Sequence, residues 1–512
     1  MKKIKLFADC DRKIFLAVML TLSGLLLAGY LIPEKFYALW NRLNFSIVSN
    51  FGWFYLGLLF VIIFYMIYLA FSKYGKLKLG PDDSKPEYST FAWVSMLFSA
   101  GVGIGFVYWG AAEVLMHYMD IPYRVASASG NDALAMAVSI SVTDWGLIGW
   151  AAFSLVGLGM GFATYRLGKP LTLSSAMYGL LGERAHGPLG KIVDYFSVIA
   201  TIAGISTTLG FGVISVAYAV NSLFGIPDTM SLKFAIVVLM VVVFVSSSYI
   251  GIKKGMNRLS QFSIYAGLFT MVFLFIFGPT SFLLDSLVMS VGTYLDNFFY
   301  LHTWTDPIGQ SGWLNTWTIF YCGWWIAWVP FTGGFIAKIS KGRTIKEFIL
   351  GVMILPSALT MVWFCTLGSS AVYAQITDKV DIYSSLMENS ASGIYLLLSS
   401  YPFGSAMCII VMITMMTFII TSTDASAFYC ATIISKGVLE PSRQIKVICG
   451  IIIGLTAFFL LTTGGLQALQ TMAIVGAFPF SIILLLLIFS VRNMLATAWQ
   501  EREMAIESKK VA

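Results

Sequence analysis

Apolar residues run along this chain in long blocks separated by short polar gaps. A helix needs about 20 mostly apolar residues to cross the hydrocarbon core of a bilayer. Twelve windows meet that length, approximately at 14–31, 53–72, 91–110, 134–163, 195–224, 232–250, 259–278, 313–337, 347–371, 402–433, 445–465 and 470–491. Several are longer than a straight crossing requires, which permits tilt or a break. An amphipathic stretch near 283–300 is too short for a clear span and is expected to lie along the interface. The longest polar gaps, roughly 111–133 and 372–401, read as external loops, and no gap is long enough for a soluble domain.

The placement of charge tests this division. With the N-terminus taken as cytoplasmic and sides alternating, only Lys35, Arg42, Arg124, Lys233 and Lys379 of the 32 Lys and Arg fall outside. Cytoplasmic loops retain positive charge, so the sequence predicts twelve spans with both termini in the cytoplasm. A missed helix would scramble the asymmetry. The net charge of +7 is therefore a sidedness signal spread over many loops, not a patch for nucleic acid.

Composition narrows the solvent to lipid. Hydrophobic residues make up 58% of the 512, charged residues 11%, and the mean hydropathy is +0.83. A soluble domain carries roughly a quarter charged residues to cover its surface. A soluble enzyme, a nucleic-acid binder and a disordered scaffold are excluded. Cys10, Cys322, Cys365, Cys408, Cys430 and Cys449 are scattered without CxxC spacing, so neither a disulfide framework nor a zinc site is expected. His117, His186 and His302 stand too far apart in sequence to suggest a metal cluster, and no cofactor is expected. The basic start before Asp9 and Asp11, without an Ala-x-Ala site, reads as a retained first helix rather than a cleaved signal. Without a P-loop, any transport energy must come from a gradient or from exchange.

Four stretches place polar or aromatic groups inside apolar windows, where membrane proteins keep their function. In Ser99-Ala-Gly-Val-Gly-Ile-Gly105, Gly101, Gly103 and Gly105 alternate within the third window. A dinucleotide loop needs a soluble strand–turn–helix setting and is rejected. Two readings stay open: close helix packing, or an unwound segment whose carbonyls meet substrate or ion. In the fourth window Trp145, Gly149 and Phe153 share a face at i, i+4 and i+8, with Trp150 at its side. Asp144 beside them is an intramembrane carboxylate that needs a partner or water. The eighth window crowds Trp313, Trp317, Trp324, Trp325 and Trp328 together, with Pro330 expected to interrupt the helix. Trp324 and Trp328 share a face, and Trp325 points away from it. Lipid anchoring puts tryptophan at membrane edges and explains this density poorly. Aromatic faces attract quaternary ammonium by about 0.5–2 kcal/mol each when desolvated. In the tenth window Thr421-Ser422-Thr423-Asp424 follows Phe418. Adjacent hydroxyls suit a small hard cation such as sodium, or simply bond back to their own helix.

On these residues the chain resembles the betaine/choline/carnitine transporter (BCCT) family. Trp317-Thr-Ile-Phe-Tyr-Cys-Gly-Trp324-Trp325, followed by Ile339-Ser-Lys-Gly-Arg-Thr344, is similar to its signature of an aromatic run and a basic loop. The glycine stretch, the Trp145–Phe153 pattern and the hydroxyl pair recur in order, so the similarity spans the membrane region. Cys322 departs from a usual tryptophan, and Phe153 from a usual tyrosine. The resemblance implies an all-α, LeuT-like architecture, with two inverted five-helix repeats at 91–278 and 313–492. Two peripheral helices (14–90), a connector (279–312) and tails at 1–13 and 493–512 complete it. It further implies a substrate box of Trp145, Trp150, Phe153 and Trp325, with Trp324 and Trp328 on the access path or at a second site, and a homotrimer.

Coupling divides the family. Its sodium site corresponds here to Ala100, Val102, Phe418, Thr421 and Ser422, and a second position to Thr201, where Ile205 replaces another hydroxyl. Its sodium-independent exchangers carry an arginine where Arg258 stands, although Arg258 also fits plain positive-inside topology. The balance favours sodium independence, with a sodium-coupled glycine betaine symporter as the alternative. Short tails argue against an osmosensor. A polytopic enzyme is disfavoured for want of a His, Cys or carboxylate constellation, and a channel remains a formal rival. The shared ammonium head leaves betaine, choline and carnitine undistinguished.

Overall fold

The computed structural model describes residues 10–511 apart from 102, 122–127, 251–252, 378 and 439, without the side chains of 99, 100, 247–250, 253–258, 260 and 509–511. Within that range the longer helices are α1 (Arg12–Leu31), α2 (Pro33–Phe71), α3 (Thr90–Gly101), α4 (Ile104–Gly110), α5 (Ala112–Met119), α6 (Gly130–Trp145), α7 (Leu147–Tyr165) and α8 (Pro188–Phe224). They continue as α9 (Met230–Ile250), α10 (Lys253–Phe277), α11 (Thr280–Asp296), α12 (Thr318–Ile339), α13 (Ile345–Ile376), α14 (Gly404–Ile434) and α15 (Arg443–Val511). A single β-bridge, Lys78 to Thr344, is the only strand-like pairing among the described residues. With no water in hydrocarbon, each backbone group must bond within its own helix, which is why apolar blocks of this length become helices.

Every predicted apolar window falls on helix, but the helices are not twelve straight rods. Among the described residues eight are long and apolar enough to cross alone, or nine counting α10 and α11 as one broken span. Three features account for the difference. The third window is split into α3 and α4, α15 absorbs two windows, and α9 is counted only over Met230–Ser246, where its side chains are described. Inside α15 the direction changes at Gly465, whose φ of 57° and ψ of −133° lie in a region that L side chains rarely adopt. The fourth window is also divided, at Gly146, into α6 and α7. Pro330, expected to interrupt the eighth window, does not: α12 runs through it to Ile339, and the break lies at Trp317. A proline withdraws one helical hydrogen bond, and close packing on neighbouring helices carries α12 past that loss.

Burial sorts the helices into layers. Over the most apolar stretch of α1 only 22% of residues are buried, against 94% for α6–α7 and 94% for the α12 region. Leu16, Leu20 and Leu27 of α1 are exposed, as lipid-facing residues should be. α7 packs along α12, α8 along α14 and α15, so α7, α8 and α12 form the centre. Between α10 and α11 the chain bends by 116°. The predicted interfacial stretch therefore does not prolong the span before it.

The basic loop before α13 is a structural staple as well as a topology signal. Leu79 N–H donates to the Arg343 carbonyl at 2.9 Å, and Ile345 N–H to that of Leu77 at 2.8 Å. The Arg343 side chain is buried, 4.0 Å over the Trp93 ring, and donates to the Tyr88 carbonyl and to Glu347. Trp93 Nε1–H donates in turn to Ser340 Oγ at 2.9 Å. The start of α3, and with it the glycine stretch, is thereby held against α12 and α13. Nearby, Arg166 donates to Asp82 at 2.5 Å and holds that carboxyl below the usual carboxylate range.

Candidate substrate-binding site

The glycines, and what sits on them, define the centre. α3 ends at Gly101 and α4 begins at Ile104, with Gly103 extended at the junction (φ −110°, ψ −166°). A Cβ added at Gly101 would lie 2.2 Å from the Trp150 ring, and one at Gly103 2.5 Å from Trp328. At Gly105 it would meet Trp324 at 2.4 Å and Trp145 at 2.6 Å, and at Gly149 it would meet Trp325 at 2.4 Å. Real Cβ contacts are never that short. Each missing side chain is thus the slot for a tryptophan from α6, α7 or α12. The close-packing reading is realised in these ring slots, and the helix breaks between Gly101 and Ile104.

The rings arrive edge to face. Trp145 and Trp325 have centroids 5.7 Å apart at 84°, Phe153 and Trp325 5.3 Å at 74°, and Trp150 and Phe153 5.5 Å at 84°. Trp145 meets Trp324 at 5.6 Å and 79°, and Trp324 meets Trp328 at 6.3 Å and 81°. A positive ring edge then lies over a negative ring face, the arrangement aromatic quadrupoles prefer. All six predicted aromatics are buried and contiguous. Phe106, Tyr321 and Phe364, which the sequence reading passed over, close the cluster around Trp145.

Four indole N–H groups are committed within the protein. Trp325 Nε1–H donates to the Asp144 carbonyl at 2.6 Å, and Trp145 Nε1–H to Glu113 Oε2 at 2.8 Å. Trp324 and Trp328 both donate to Thr208 Oγ1 of α8, at 3.2 and 3.0 Å. Trp145 and Trp325 therefore offer the box their π faces and no donor. A trimethylammonium group, with no hydrogen to donate, is suited to such faces. In this conformation the rings pack against one another, so a cation must part them to enter.

The ion-site residues divide differently. Val102 lies outside the described residues, as do the side chains of Ala100 and Arg258. Phe418 is buried on α14, and Thr421 Oγ1–H bonds back to the Thr417 carbonyl at 3.0 Å, with Ser422 buried next to it. Thr201 likewise donates to the Ser197 carbonyl at 2.8 Å, and Ile205 is buried one turn on. Thr417 and Ser263, 2.6 Å apart through their hydroxyls, tie α14 to α10.

One expectation is corrected. The sequence suggested no His or carboxylate constellation, yet Glu113, His117 and Asp144 are buried together, with ligand atoms all within 4.8 Å of one another. Hydropathy assigned 111–133 to a loop, whereas α5 continues the helical path beyond Ala111 and buries Glu113 and His117. Their i, i+4 spacing was the available signal. Tyr321 O–H also donates to Glu113 Oε2.

Comparison with known proteins adds the context. A family model described as "BCCT, betaine/carnitine/choline family transporter" matches residues 13–500. The glycine betaine transporter OpuD of Bacillus subtilis (strain 168) is 36% identical over 495 residues, covering 95% of each chain. The ectoine/hydroxyectoine transporter of Virgibacillus pantothenticus is 33% identical over 479 residues, 94% of this chain and 95% of that one. The high-affinity choline transport protein of Escherichia coli (strain K12) is 35% identical over 501 residues, 96% of this chain and 74% of that one.

Proposed function

The chain belongs to the betaine/carnitine/choline transporter family, a family of multi-pass membrane transporters and not enzymes, and from that premise we propose that it carries a quaternary-ammonium solute across the bacterial cytoplasmic membrane by alternating access. The observation that carries this reading is the aromatic box. Its indole N–H groups on Trp145, Trp324, Trp325 and Trp328 are spent on the protein, which leaves faces suited to a charge without donors. Trp145, Trp150, Phe153 and Trp325 cage the ammonium head, and Trp324 and Trp328 line its approach. The backbone around Gly101, Gly103 and Gly105 meets the polar tail.

Ten of twelve crossings form two inverted five-helix repeats, 91–278 and 313–492, that rock against each other, with both termini cytoplasmic and three copies assembled. Coupling is sodium-independent, Arg258 taking the place of the ion among Ala100, Val102, Phe418, Thr421 and Ser422. Thr201, with Ile205 one turn on in place of a second hydroxyl, makes no second ion position.

Uptake of labelled choline, glycine betaine and carnitine into proteoliposomes tests the assignment. Trp325→Leu should abolish uptake of whichever solute is carried while the protein remains monodisperse, and unchanged uptake defeats the box. Accumulation that requires an inward sodium gradient would instead favour the sodium-coupled glycine betaine symporter. Unlabelled ectoine belongs in the competition panel, because one relative bears that name.

A further inference from the structure

Beside the box lies a group of polar atoms that the protein leaves unfinished. Glu113 and His117 sit one turn apart on α5, and Asp144 ends α6 next to Trp145. Their side chains are 0%, 1% and 0% exposed. Glu113 Oε1 and both ring nitrogens of His117 lack any hydrogen-bond partner among the described residues, and the Asp144 carboxylate has only the Thr318 hydroxyl beside it. The His117 Nε2 to Glu113 Oε1 distance is 3.6 Å, too long for a hydrogen bond. Thr318 lines the same space, and the rings of Trp317 and Trp313 flank His117 at 4.6 and 5.3 Å. No lysine or arginine pairs with either carboxylate among the described residues. Buried carboxylates without a counter-charge are costly, and so are buried polar atoms without partners.

We propose that Glu113, His117 and Asp144 form a binding site for a divalent transition ion of the zinc class. One imidazole and two carboxylates are a three-ligand set of the kind that leaves a fourth position open. Zinc ligands lie at about 2.0–2.2 Å, which sets tetrahedral ligand atoms roughly 3.4 Å apart. The Glu113–His117 pair at 3.6 Å nearly meets that spacing already, and Asp144 closes it by swinging inward. Glu113 Oε2 is held by Trp145 and Tyr321, so the oxygen facing His117 is aimed by its neighbours as ligands in metal sites are. Asp144, Thr143 and Thr318 also line a small cleft with Trp313 and with Tyr300, Leu301 and Trp304 of the connector. An ion there would tie α5 to α6 and immobilise Trp145. The site thus adds a metal-dependent brake to the transport reading, and its binding test does not depend on that reading.

The full-length transporter, purified in detergent with any affinity tag removed, is titrated with ZnCl2 by calorimetry. One saturable equivalent per chain is expected, with affinity at least tenfold weaker in His117→Gln and in Asp144→Asn and unchanged in His186→Gln. Size exclusion checks that each variant stays folded. X-ray absorption at the zinc edge of the unmutated protein gives a reading independent of variants, with nitrogen and oxygen ligands and one imidazole expected. Absence of saturable binding, sulfur ligation, or binding indifferent to His117→Gln and Asp144→Asn would each overturn the proposal.

Discussion

Two regions that share a wall at Trp145 are built on opposite terms. In the aromatic box the indole groups of Trp145, Trp324, Trp325 and Trp328 are all hydrogen-bonded, and Trp145 meets Trp324 and Trp325 edge to face. In the Glu113–His117–Asp144 cluster Glu113 Oε1 and both His117 nitrogens have no partner among the described residues. The box is complete in itself and must be opened to work, whereas the cluster is completed only from outside. Burial alone does not mark a functional site, since both regions are equally buried. What distinguishes them is whether the polar groups have been satisfied by the fold.

Substitutions can break this contrast at either end. The largest effect is expected for Trp325→Leu, which removes two edge-to-face contacts and a π face together; uptake should fall by about 100-fold or more in proteoliposomes, as losing several desolvated cation–π contacts implies. Next comes Gly105→Ala. Its new methyl group would meet Trp324 and Trp145 at 2.4 and 2.6 Å, and overpacking of this kind costs about 1–3 kcal/mol. Lower thermal stability in detergent, with uptake reduced about tenfold, is the expected result, and a neutral outcome would mean that the rings have room to spare. Glu113→Gln attacks the other region. An amide oxygen still accepts from Trp145 and Tyr321, so stability should change by no more than about 1 kcal/mol while zinc affinity drops. If uptake collapses as it does in Trp325→Leu, the two regions are one site.

The smallest effect serves as a control remote from both. Asp82, hydrogen-bonded to Arg166 on the polar loop, has its carboxyl lowered in the folded protein. A depressed folded value contributes stability that is present above the unfolded carboxylate value near 3.9, and that is lost as pH falls through the folded value. Melting in detergent followed from pH 6 downward, over a range of about 3 pH units, should lose this increment, and Asp82→Asn should lack it. The group is half exposed, so the change is small.

Much of the site was legible because tryptophan is conspicuous and helical spacing is simple. Trp145, Gly149 and Phe153 could be placed on one face from their numbers alone. The glycines were singled out correctly, but their purpose could not be read, because the rings that fill them come from three other helices. Pro330 misled because local propensity says nothing about the packing that carries α12 past it. Glu113 and His117 were lost for a related reason. Hydropathy averages a window, and a short amphipathic helix carrying a carboxylate and an imidazole averages to a loop. The apolar windows did predict where helix lies, while breaks at 103, 146, 317 and 465 depend on contacts far away in sequence.

Thr208 carries one more implication. Its single hydroxyl oxygen receives the indole hydrogens of two tryptophans one turn apart on α12, and it bonds to the Gly204 carbonyl of its own helix. A slide of α12 along α8 by one turn, about 5.4 Å, would leave at most one of the two indoles within reach of that oxygen. A swivel centred on that oxygen leaves both in place. The pair of helices is pinned like the two arms of a pair of scissors, free to change angle and barred from changing register.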